Sequence, residues 1–218
     1  QCSEGAGKYM AGYKMVADMV NDVIASQGIT VPVALHLDHG SYEGCLKCID
    51  AGFSSIMFDG SHFSIEENIA KTKELVKCAL ENGINYFDTA WGYHNGMSEI
   101  SVGKALKHFP RDTFYLASKF PGYDVKNFGK HEEIFERQLE KCQVEYFDFY
   151  LCHAMNIGYH ELYKKLGVYE YLVSLKNEGK IKKRKEKMKT NVKRSRKSSK
   201  KIQKNRLFSL WQPHTGHW

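Results

Sequence analysis

Residues 84–93 read Ile-Asn-Tyr-Phe-Asp-Thr-Ala-Trp-Gly-Tyr, a short apolar run that ends in an aspartate and passes into a polar loop. Similar apolar runs recur roughly every 20–34 residues, which is the length of one strand–helix unit. Helical patterns fill the intervals, and this alternation is typical of a parallel sheet covered by helices. The predicted strands are residues 33–38, 54–59, 84–89, 113–119 and 147–153, and the predicted helices are residues 9–25, 42–51, 66–82, 98–107, 131–143 and 160–177.

The number and the ends of these strand–helix units decide which α/β architecture is predicted. Polar residues stand at the ends of several strands, as they do at the C-terminal face of a (β/α) barrel, where active sites lie. Gly5 and Gly7 follow no strand, so they do not indicate the phosphate loop of a doubly wound sheet. About five units are present, whereas a closed barrel has eight. We therefore predict an α/β fold that forms a partial or chimeric TIM-type barrel of about five parallel βα units.

The first candidate site lies at the end of the predicted strand 33–38. Residues 36–39 read His-Leu-Asp-His, so Asp38 and His39 fall at the C-terminal end of that strand. A neutral imidazole there can bind zinc, and the adjacent carboxylate can move a proton. A catalytic zinc ion normally takes three protein ligands, so a hydrogen-bonded loop is the alternative interpretation.

Longer segments around this site resemble the class II, zinc-dependent fructose-bisphosphate aldolases. They are S-E-G-A-G-K-Y-M (3–10), P-V-A-L-H-L-D-H-G-S-Y-E (32–43) and D-A-G-F-S-S-I-M-F-D-G-S-H-F-S-I-E-E-N-I (50–69). The resemblance covers about residues 1–77. It implies a zinc cofactor and a sugar-phosphate substrate.

The same resemblance implies a role for individual residues. Asp38 would be the proton donor, His39 a catalytic zinc ligand, and Asp59 a ligand of a second metal position. Ser3 is similar to the family's residue near the aldehyde substrate. The family takes two further zinc histidines and its phosphate-binding loops from later strands, and nothing of that kind follows residue 77. His62 lies just past the second strand, where we expect a loop or surface role.

The second candidate site combines polar residues from three later strands. Asp88, Lys119 and His153 each end a predicted strand, and Tyr93 lies in the loop after the first of these strands. An ammonium beside a phenol stabilises the phenolate, and a carboxylate holds the ammonium in place. Tyr93 can then protonate a carbonyl oxygen while a hydride reaches the carbon. One polar residue at the end of each strand is also a common feature of barrels, which is the alternative.

The sequence around these four residues resembles the aldo/keto reductases over about residues 78–183. It consists of A-L-E-N-G-I-N-Y-F-D-T-A-W-G-Y-H-N-G-M-S-E-I-S-V-G-K-A-L (79–106), T-F-Y-L-A-S-K (113–119) and Y-F-D-F-Y-L-C-H (146–153). The resemblance implies that the Asp, Tyr, Lys and His form the family's catalytic tetrad. It also implies NADPH as the hydride donor, although much of the family's cofactor-binding surface comes from later strands.

Composition separates the body of the chain from its C-terminal part. Of the 32 Lys and Arg residues, 16 lie between Lys176 and Arg206, a stretch with two acidic residues. We predict a disordered, basic, low-complexity tail over residues 184–218. Such a tail can bind nucleic acid through counterion release, but it shows no organised recognition motif. Translation of A-rich DNA in the wrong frame would give a similar composition, and specific nucleic-acid binding is not predicted.

The location is predicted from the cysteines and from hydropathy. The six cysteines include one C-x-x-C pair, Cys45 and Cys48, inside a helical pattern, where buried thiols are expected. Reduced cysteines fit a cytoplasmic protein. No apolar run approaches the ~18 residues that a membrane span needs.

Together these patterns predict a chimera with three parts, namely residues 1–77, 78–183 and 184–218. NADPH-dependent carbonyl reduction by the tetrad is the leading functional prediction, impaired by the missing half of the barrel. Zinc-dependent aldolase chemistry and a non-catalytic fusion product are the alternatives. An open barrel would also expose an unpaired sheet edge, which favours self-association.

Overall fold

The structure is a computed structural model that describes residues 1–182 and the backbone of residues 206–209. Its strands are β1 (Cys2–Ser3), β2 (His36–Gly40), β3 (Ser55–Phe58), β4 (Ile84–Asp88), β5 (Tyr115–Phe120), β6 (Phe149–Cys152) and β7 (Arg206–Ser209). Its helices are α1 (Glu4–Tyr9), α2 (Tyr13–Ser26), α3 (Tyr42–Asp50), α4 (Ile65–Glu81), α5 (Ser98–Leu106), α6 (His131–Cys142), α7 (Ile157–Lys165) and α8 (Val168–Glu178). Within this described part, none of the helices is long and apolar enough to cross a membrane.

Two groups of three parallel strands form the sheet. One group has the order β1–β2–β3 and the other β4–β5–β6, and β7 pairs with both β3 and β4 to give a seven-stranded sheet. Every pairing is parallel. In the described residues, the outer strands β1 and β6 do not pair with each other, so no closed barrel forms. The predicted α/β fold with an incomplete barrel is therefore confirmed.

Local sequence explains where the helices begin and end. The Ser64 hydroxyl caps α4 by accepting a hydrogen bond from the Glu67 amide at 3.2 Å. Gly83 and Gly179 follow α4 and α8 with φ of +79° and +82°, a conformation that glycine adopts without steric cost. The single helix predicted over residues 160–177 is instead two helices, because Gly167 takes φ +67° between α7 and α8.

One hydrophobic core extends through both groups of strands. Helix α4 connects β3 to β4, and its buried residues Leu75 and Val76 belong to the same cluster as Ile56 of β3 and Ile84 of β4. All four side chains are completely buried. The change from aldolase-like to reductase-like sequence therefore leaves no break in the core.

Three elements were not predicted from the sequence. Strand β1 and helix α1 occupy residues 2–9, and β7 occupies residues 206–209 within the predicted tail. The remainder of the tail predicted over residues 184–218 lies outside the described residues. Strand β2 also begins later than predicted, because residues 31–34 have no strand neighbour in the described part of the chain and are exposed.

Candidate active site

The four residues of the predicted tetrad meet at one edge of the sheet. Asp88 is the last residue of β4, Lys119 lies next to the end of β5, and His153 directly follows β6. Tyr93 begins a short 3-10 turn after β4 and is almost completely buried. Because these strands are parallel neighbours, their C-terminal ends place the four side chains together.

The Lys119 ammonium connects the members of this group. Its Nζ donates a hydrogen bond to Asp88 Oδ1, one at 2.9 Å to the Thr89 carbonyl, and one at 3.5 Å to the Tyr93 hydroxyl. The side chains of the lysine and the aspartate are only 12% and 15% exposed. The approach of Tyr93 to Lys119 that the sequence predicts is thus observed.

Two opposing effects act on the Asp88 carboxyl. Burial raises its pKa above the ordinary aspartate value, and the nearby Lys119 charge and hydrogen bond lower it in part. The carboxylate therefore depends on the ammonium for its stabilisation. The ion pair is a coupled unit rather than two independent charges.

The turn that carries Tyr93 has an unusual backbone. His94 and Asn95 adopt left-handed conformations with φ of +51° and +52°. Non-glycine residues adopt this region at some cost, which asparagine bears better than most. The Tyr93 amide also donates to the Ala90 carbonyl at 3.2 Å. The turn thereby holds the tyrosine hydroxyl over the end of β5.

His153 contributes an imidazole ring to the same edge. Its ring stands edge-on to the rings of Tyr93 and Tyr123, with centroid distances of 5.5 and 5.1 Å. Its backbone amide donates to the Phe120 carbonyl at 3.0 Å, which continues the β5–β6 pairing by one residue. The histidine is therefore fixed by both its backbone and its aromatic neighbours.

A buried polar network behind Lys119 was not predicted from the sequence. Glu99 of α5, Ser118 of β5 and Gln138 of α6 are all completely buried. Glu99 Oε1 accepts from Ser118 Oγ at 2.7 Å and from Gln138 Nε2 at 2.5 Å, and Gln138 Nε2 also donates to the Lys119 carbonyl at 3.1 Å. The network ties the backbone of the catalytic lysine candidate to two helices. The sequence signal that could have indicated its burial is that Glu99 lies on the same face of α5 as the buried Val102 and Leu106.

Charge in this network is balanced by Lys141. Burial raises the Glu99 pKa above its ordinary value of 4.5, and hydrogen bonds together with Lys141 act in the opposite direction. The Lys141 ammonium lies 3.5 Å from Glu99 Oε2 and 4.0 Å from the centroid of the Trp91 ring. The buried carboxylate thus has a cation and two neutral donors as partners.

The residues predicted from the aldolase resemblance lie in the other group of strands, β1–β2–β3. Ser3 and Asp38 are register partners in the parallel pair β1–β2, and the Gln1 side chain donates to Asp38 Oδ2. The Ser3 hydroxyl accepts from the Ala6 amide at 3.2 Å and so caps α1. The structure gives Ser3 this local capping role, and its predicted role near a substrate stays a proposal.

His39 and Asp59 contact each other directly. His39 Nδ1 lies 3.1 Å from Asp59 Oδ2, and Ser61 donates to the other carboxylate oxygen through both its amide and its hydroxyl. Burial alone would raise the Asp59 pKa, but the hydrogen bonds from Ser61 and His39 outweigh it and lower the pKa. A histidine whose Nδ1 faces a carboxylate is oriented to bind a metal through Nε2.

The ligand set for zinc is incomplete among the residues that the structure describes. The described part of the chain contains no group of three or more His, Cys, Asp and Glu side chains that could hold a metal ion. His62 is exposed and packs against the ring of Phe63, with centroids 4.0 Å apart. Cys45 and Cys48 are buried thiols, and burial raises the pKa of Cys48 to about 12. These residues therefore do not supply the missing ligands.

Two cavities lie away from the tetrad. One of about 810 Å³ is lined by residues of α1, α2 and α3, and one of about 310 Å³ is lined by apolar residues of α2 and the segment after it. Neither includes Asp88 or Lys119 in its lining.

The fold and the polar edge define a parallel α/β protein of the (β/α) barrel class, with two sets of site residues. The family model of the aldo/keto reductases matches residues 57–184, and the chain belongs to that family. The family model of class-II fructose-bisphosphate aldolase matches residues 1–86. The predicted resemblance of one chain to both families is therefore confirmed, and the two matches overlap over residues 57–86.

Individual relatives match only part of their own length. The fructose-bisphosphate aldolase of Streptococcus pyogenes serotype M3 is 56% identical over 104 residues, which are 48% of this chain and 35% of that protein. The fructose-bisphosphate aldolase of Mycoplasma pneumoniae is 60% identical over 79 residues, or 36% of this chain and 27% of that protein. An aldo-keto reductase structure from Bacillus halodurans has 34% identity and a TM-score of 0.42 over 52% of this chain and 37% of that one. The chain thus spans about a third of the length of these curated relatives.

Proposed function

We propose that the chemistry of this chain is NADPH-dependent reduction of a small-molecule carbonyl compound, with the tetrad Asp88, Tyr93, Lys119 and His153 as its acid–base machinery. One observation carries the proposal. The Lys119 ammonium contacts both the Asp88 carboxylate and the Tyr93 hydroxyl at the C-terminal edge of the sheet. The alternative, in which barrels commonly place one polar residue at the end of each strand, does not require a contact among these three residues.

Each residue has a distinct part in the proposed reaction. Tyr93 gives its hydroxyl proton to the carbonyl oxygen, and the neighbouring ammonium favours the loss of that proton. Asp88 holds the ammonium at the end of β5. His153, whose ring stands edge-on to the Tyr93 ring, orients the substrate carbonyl. When bound, NADPH supplies the hydride that the carbonyl carbon accepts.

The resemblance to the aldo/keto reductases implies that much of the cofactor-binding surface of such a site comes from later strands. Neither of the two cavities described above is lined by Asp88 or Lys119, and Gly122, which follows β5, is packed directly against the Tyr163 ring. We therefore assign the described residues an acid–base role only. On this proposal the isolated chain binds NADPH weakly and turns over slowly.

The proposal is tested through Tyr93 under conditions that offset weak cofactor binding. Reduction of an aromatic aldehyde is measured with concentrated protein and excess NADPH. A slow rate that is lost in Tyr93→Phe and retained in Tyr9→Phe is expected, since Tyr9 is 89% exposed on α1. Equal rates for the wild type and Tyr93→Phe would show that the tetrad performs no reduction.

Zinc-dependent aldolase chemistry on a sugar phosphate is the second candidate. It is favoured by the contact between His39 and Asp59, with Asp38 as the proposed proton donor on the same strand as His39. The metal site is incomplete in the described residues, so we derive no step through zinc. We expect no zinc-dependent cleavage of fructose 1,6-bisphosphate. Cleavage that chelation and His39→Ala both abolish would make this the better assignment.

A non-catalytic fusion product is the third candidate. It is favoured by the match of two different family models to one chain, over residues 1–86 and 57–184. The observed tetrad geometry would then be retained from a reductase sequence without being used. Absence of any Tyr93-dependent reduction, together with a stable fold, is the result that this candidate predicts.

A further inference from the structure

A gap one strand wide separates β3 from β4. These strands are consecutive units joined by α4, and strands joined in this way are usually neighbours in a sheet. Here they do not pair with each other. Strand β7 lies between them, with Ser55 of β3 opposite Leu207 and Ile84 of β4 opposite Arg206. The two strands are thus separated by two inter-strand spacings, or about 10 Å.

The residues that border the gap are buried. Ile56 and Phe58 of β3, and Ile84 and Phe87 of β4, are all completely inaccessible to solvent. Without β7, the backbone N–H and C=O groups of two buried strands would face each other without partners, which is costly. Helix α4 connects the two strands, and its buried Leu75 and Val76 belong to the same core cluster as Ile56 and Ile84. The gap therefore needs a strand to fill it.

We propose that the gap between β3 and β4 is a strand-acceptor site, that its ligand is the C-terminal segment of the same chain at residues 206–209, and that this pairing joins the two barrel pieces into one sheet. The recognition is through backbone hydrogen bonds on both sides of the inserted strand. Seven register pairs connect β7 to its neighbours, three to β3 and four to β4.

The length of the chain allows the segment to reach the gap. Residues 183–205 connect Lys182 to Arg206, and 23 extended residues span up to ~75 Å. Ile181 pairs with Phe147 beside β6, which is four strand spacings, or about 19 Å, from β7. Tethering at this distance gives the segment a high effective concentration at the acceptor site.

The inserted strand also sets the distance between the two candidate sites. Ser209 is the register partner of both Met57 of β3 and Asp88 of β4. It thus lies between the strand ends that carry Asp59 and the tetrad. The β4–β5–β6 pairings do not involve β7. Loss of β7 should therefore loosen the junction and leave the tetrad strands paired.

Hydrogen–deuterium exchange of the full-length chain tests the proposal. In the wild type, the amides of residues 206–209 should exchange at least about tenfold more slowly than those of residues 190–200. Phe208→Pro removes one backbone donor from β7 and should accelerate exchange in β3 and β4 by about tenfold. Exchange in β5 and β6 should not change. Ser198→Pro, in the connecting segment, is the matched control and should change none of these strands.

Three results would overturn the proposal. The first is rapid exchange of residues 206–209 in the wild type, which needs no variant and is decisive even if Phe208→Pro fails to fold. The second is unchanged exchange of β3 and β4 in a folded Phe208→Pro chain. The third is protection of residues 206–209 that disappears on dilution, which would assign the strand to a second copy.

Discussion

At the scale of single residues, the position of one ammonium determines how the tetrad is held. Lys119 contacts Asp88, Thr89 and Tyr93, and its own backbone carbonyl accepts from Gln138. The Lys119 ammonium is therefore held through its side-chain contacts and through the backbone of β5. Removing the Lys119 ammonium would leave the buried Asp88 carboxylate without its cation. Moving the ammonium would take it away from the Tyr93 hydroxyl.

We predict that Lys119→Met destabilises the protein by about 3 kcal/mol, because Asp88 then stays buried without its ion partner. Lys119→Met combined with Asp88→Asn should recover part of that loss. Urea unfolding of the variants measures both changes. Lys104→Met, on the exposed side of α5, is the control and should have little effect. A loss no larger than that of the control would contradict the prediction.

The Glu99 carboxyl gives the stability of the protein a predictable dependence on pH. Its pKa is raised by burial, so the folded state retains the proton at pH values where the unfolded state has lost it. This contribution is fully present below the ordinary value of 4.5 and is lost as pH rises through the folded-state pKa. The stability of the wild type relative to Glu99→Gln should therefore fall as pH increases above about 4.5.

Urea unfolding of both proteins across this range measures that difference. Glu133→Gln, at an exposed position of α6, is the control. A stability difference between wild type and Glu99→Gln that does not vary with pH would show that the Glu99 pKa is not raised.

Sequence reasoning located the tetrad but not what supports it. Asp88, Lys119 and His153 could be placed because each ends an apolar strand, and parallel strands share an edge. Glu99 and Gln138 could not be assigned, because a charged or amide residue on a helix is ordinarily taken as solvent-facing. Their pairing joins residues 39 positions apart and depends on how α5 and α6 pack on β5.

At the scale of elements, the strands and helices with strong periodicity were predicted well. Strands β3 to β6 lie within a few residues of their predicted bounds, because each is a short apolar run between helices. The break between α7 and α8 depends on one left-handed glycine, Gly167, which a helical pattern tolerates in sequence. Strand β7 has no local signal that would place it between β3 and β4. Its position depends on pairing with two strands that lie far earlier in the chain.

Strand β6 presents an exposed apolar face that predicts self-association. Phe149 and Leu151 are 37% and 39% exposed, and the ring of Phe149 packs on Tyr86 and Tyr115. A closed barrel would cover this face, and unprotected edges promote pairing between molecules. We predict that the wild type forms dimers or larger species as its concentration rises.

Sedimentation velocity of wild type and Phe149→Lys measures this association. The added charge should shift the protein toward the monomer at equal concentration. Val173→Lys is the control, since Val173 is 57% exposed on α8, away from β6. A monomeric wild type, or equal effects of the two substitutions, would show that β6 is not the contact surface.

At the scale of the whole molecule, the chain combines two partial barrels in one sheet, with a main core that spans both groups of strands and a smaller cluster around Phe120 and Tyr163. The part that matches the aldo/keto reductase model keeps Asp88, Tyr93, Lys119 and His153 together, because three adjacent strands are sufficient to bring them to one edge. The part that matches the class-II fructose-bisphosphate aldolase model keeps His39 and Asp59 in contact, and the described residues contain no group of three or more His, Cys, Asp and Glu side chains that could hold a metal ion. Local geometry is thus kept where the strands that contribute the residues are neighbours in the sheet.

The central claim is that the tetrad is assembled while the isolated chain binds its cofactor weakly. Titration of the purified full-length chain with NADPH, followed by the cofactor's fluorescence, tests it most directly. We predict no saturation below about 1 mM, which corresponds to a binding free energy weaker than about −4 kcal/mol. Saturable binding at micromolar NADPH, together with aldehyde reduction that Tyr93→Phe abolishes, would contradict the claim and show that the cofactor site is complete.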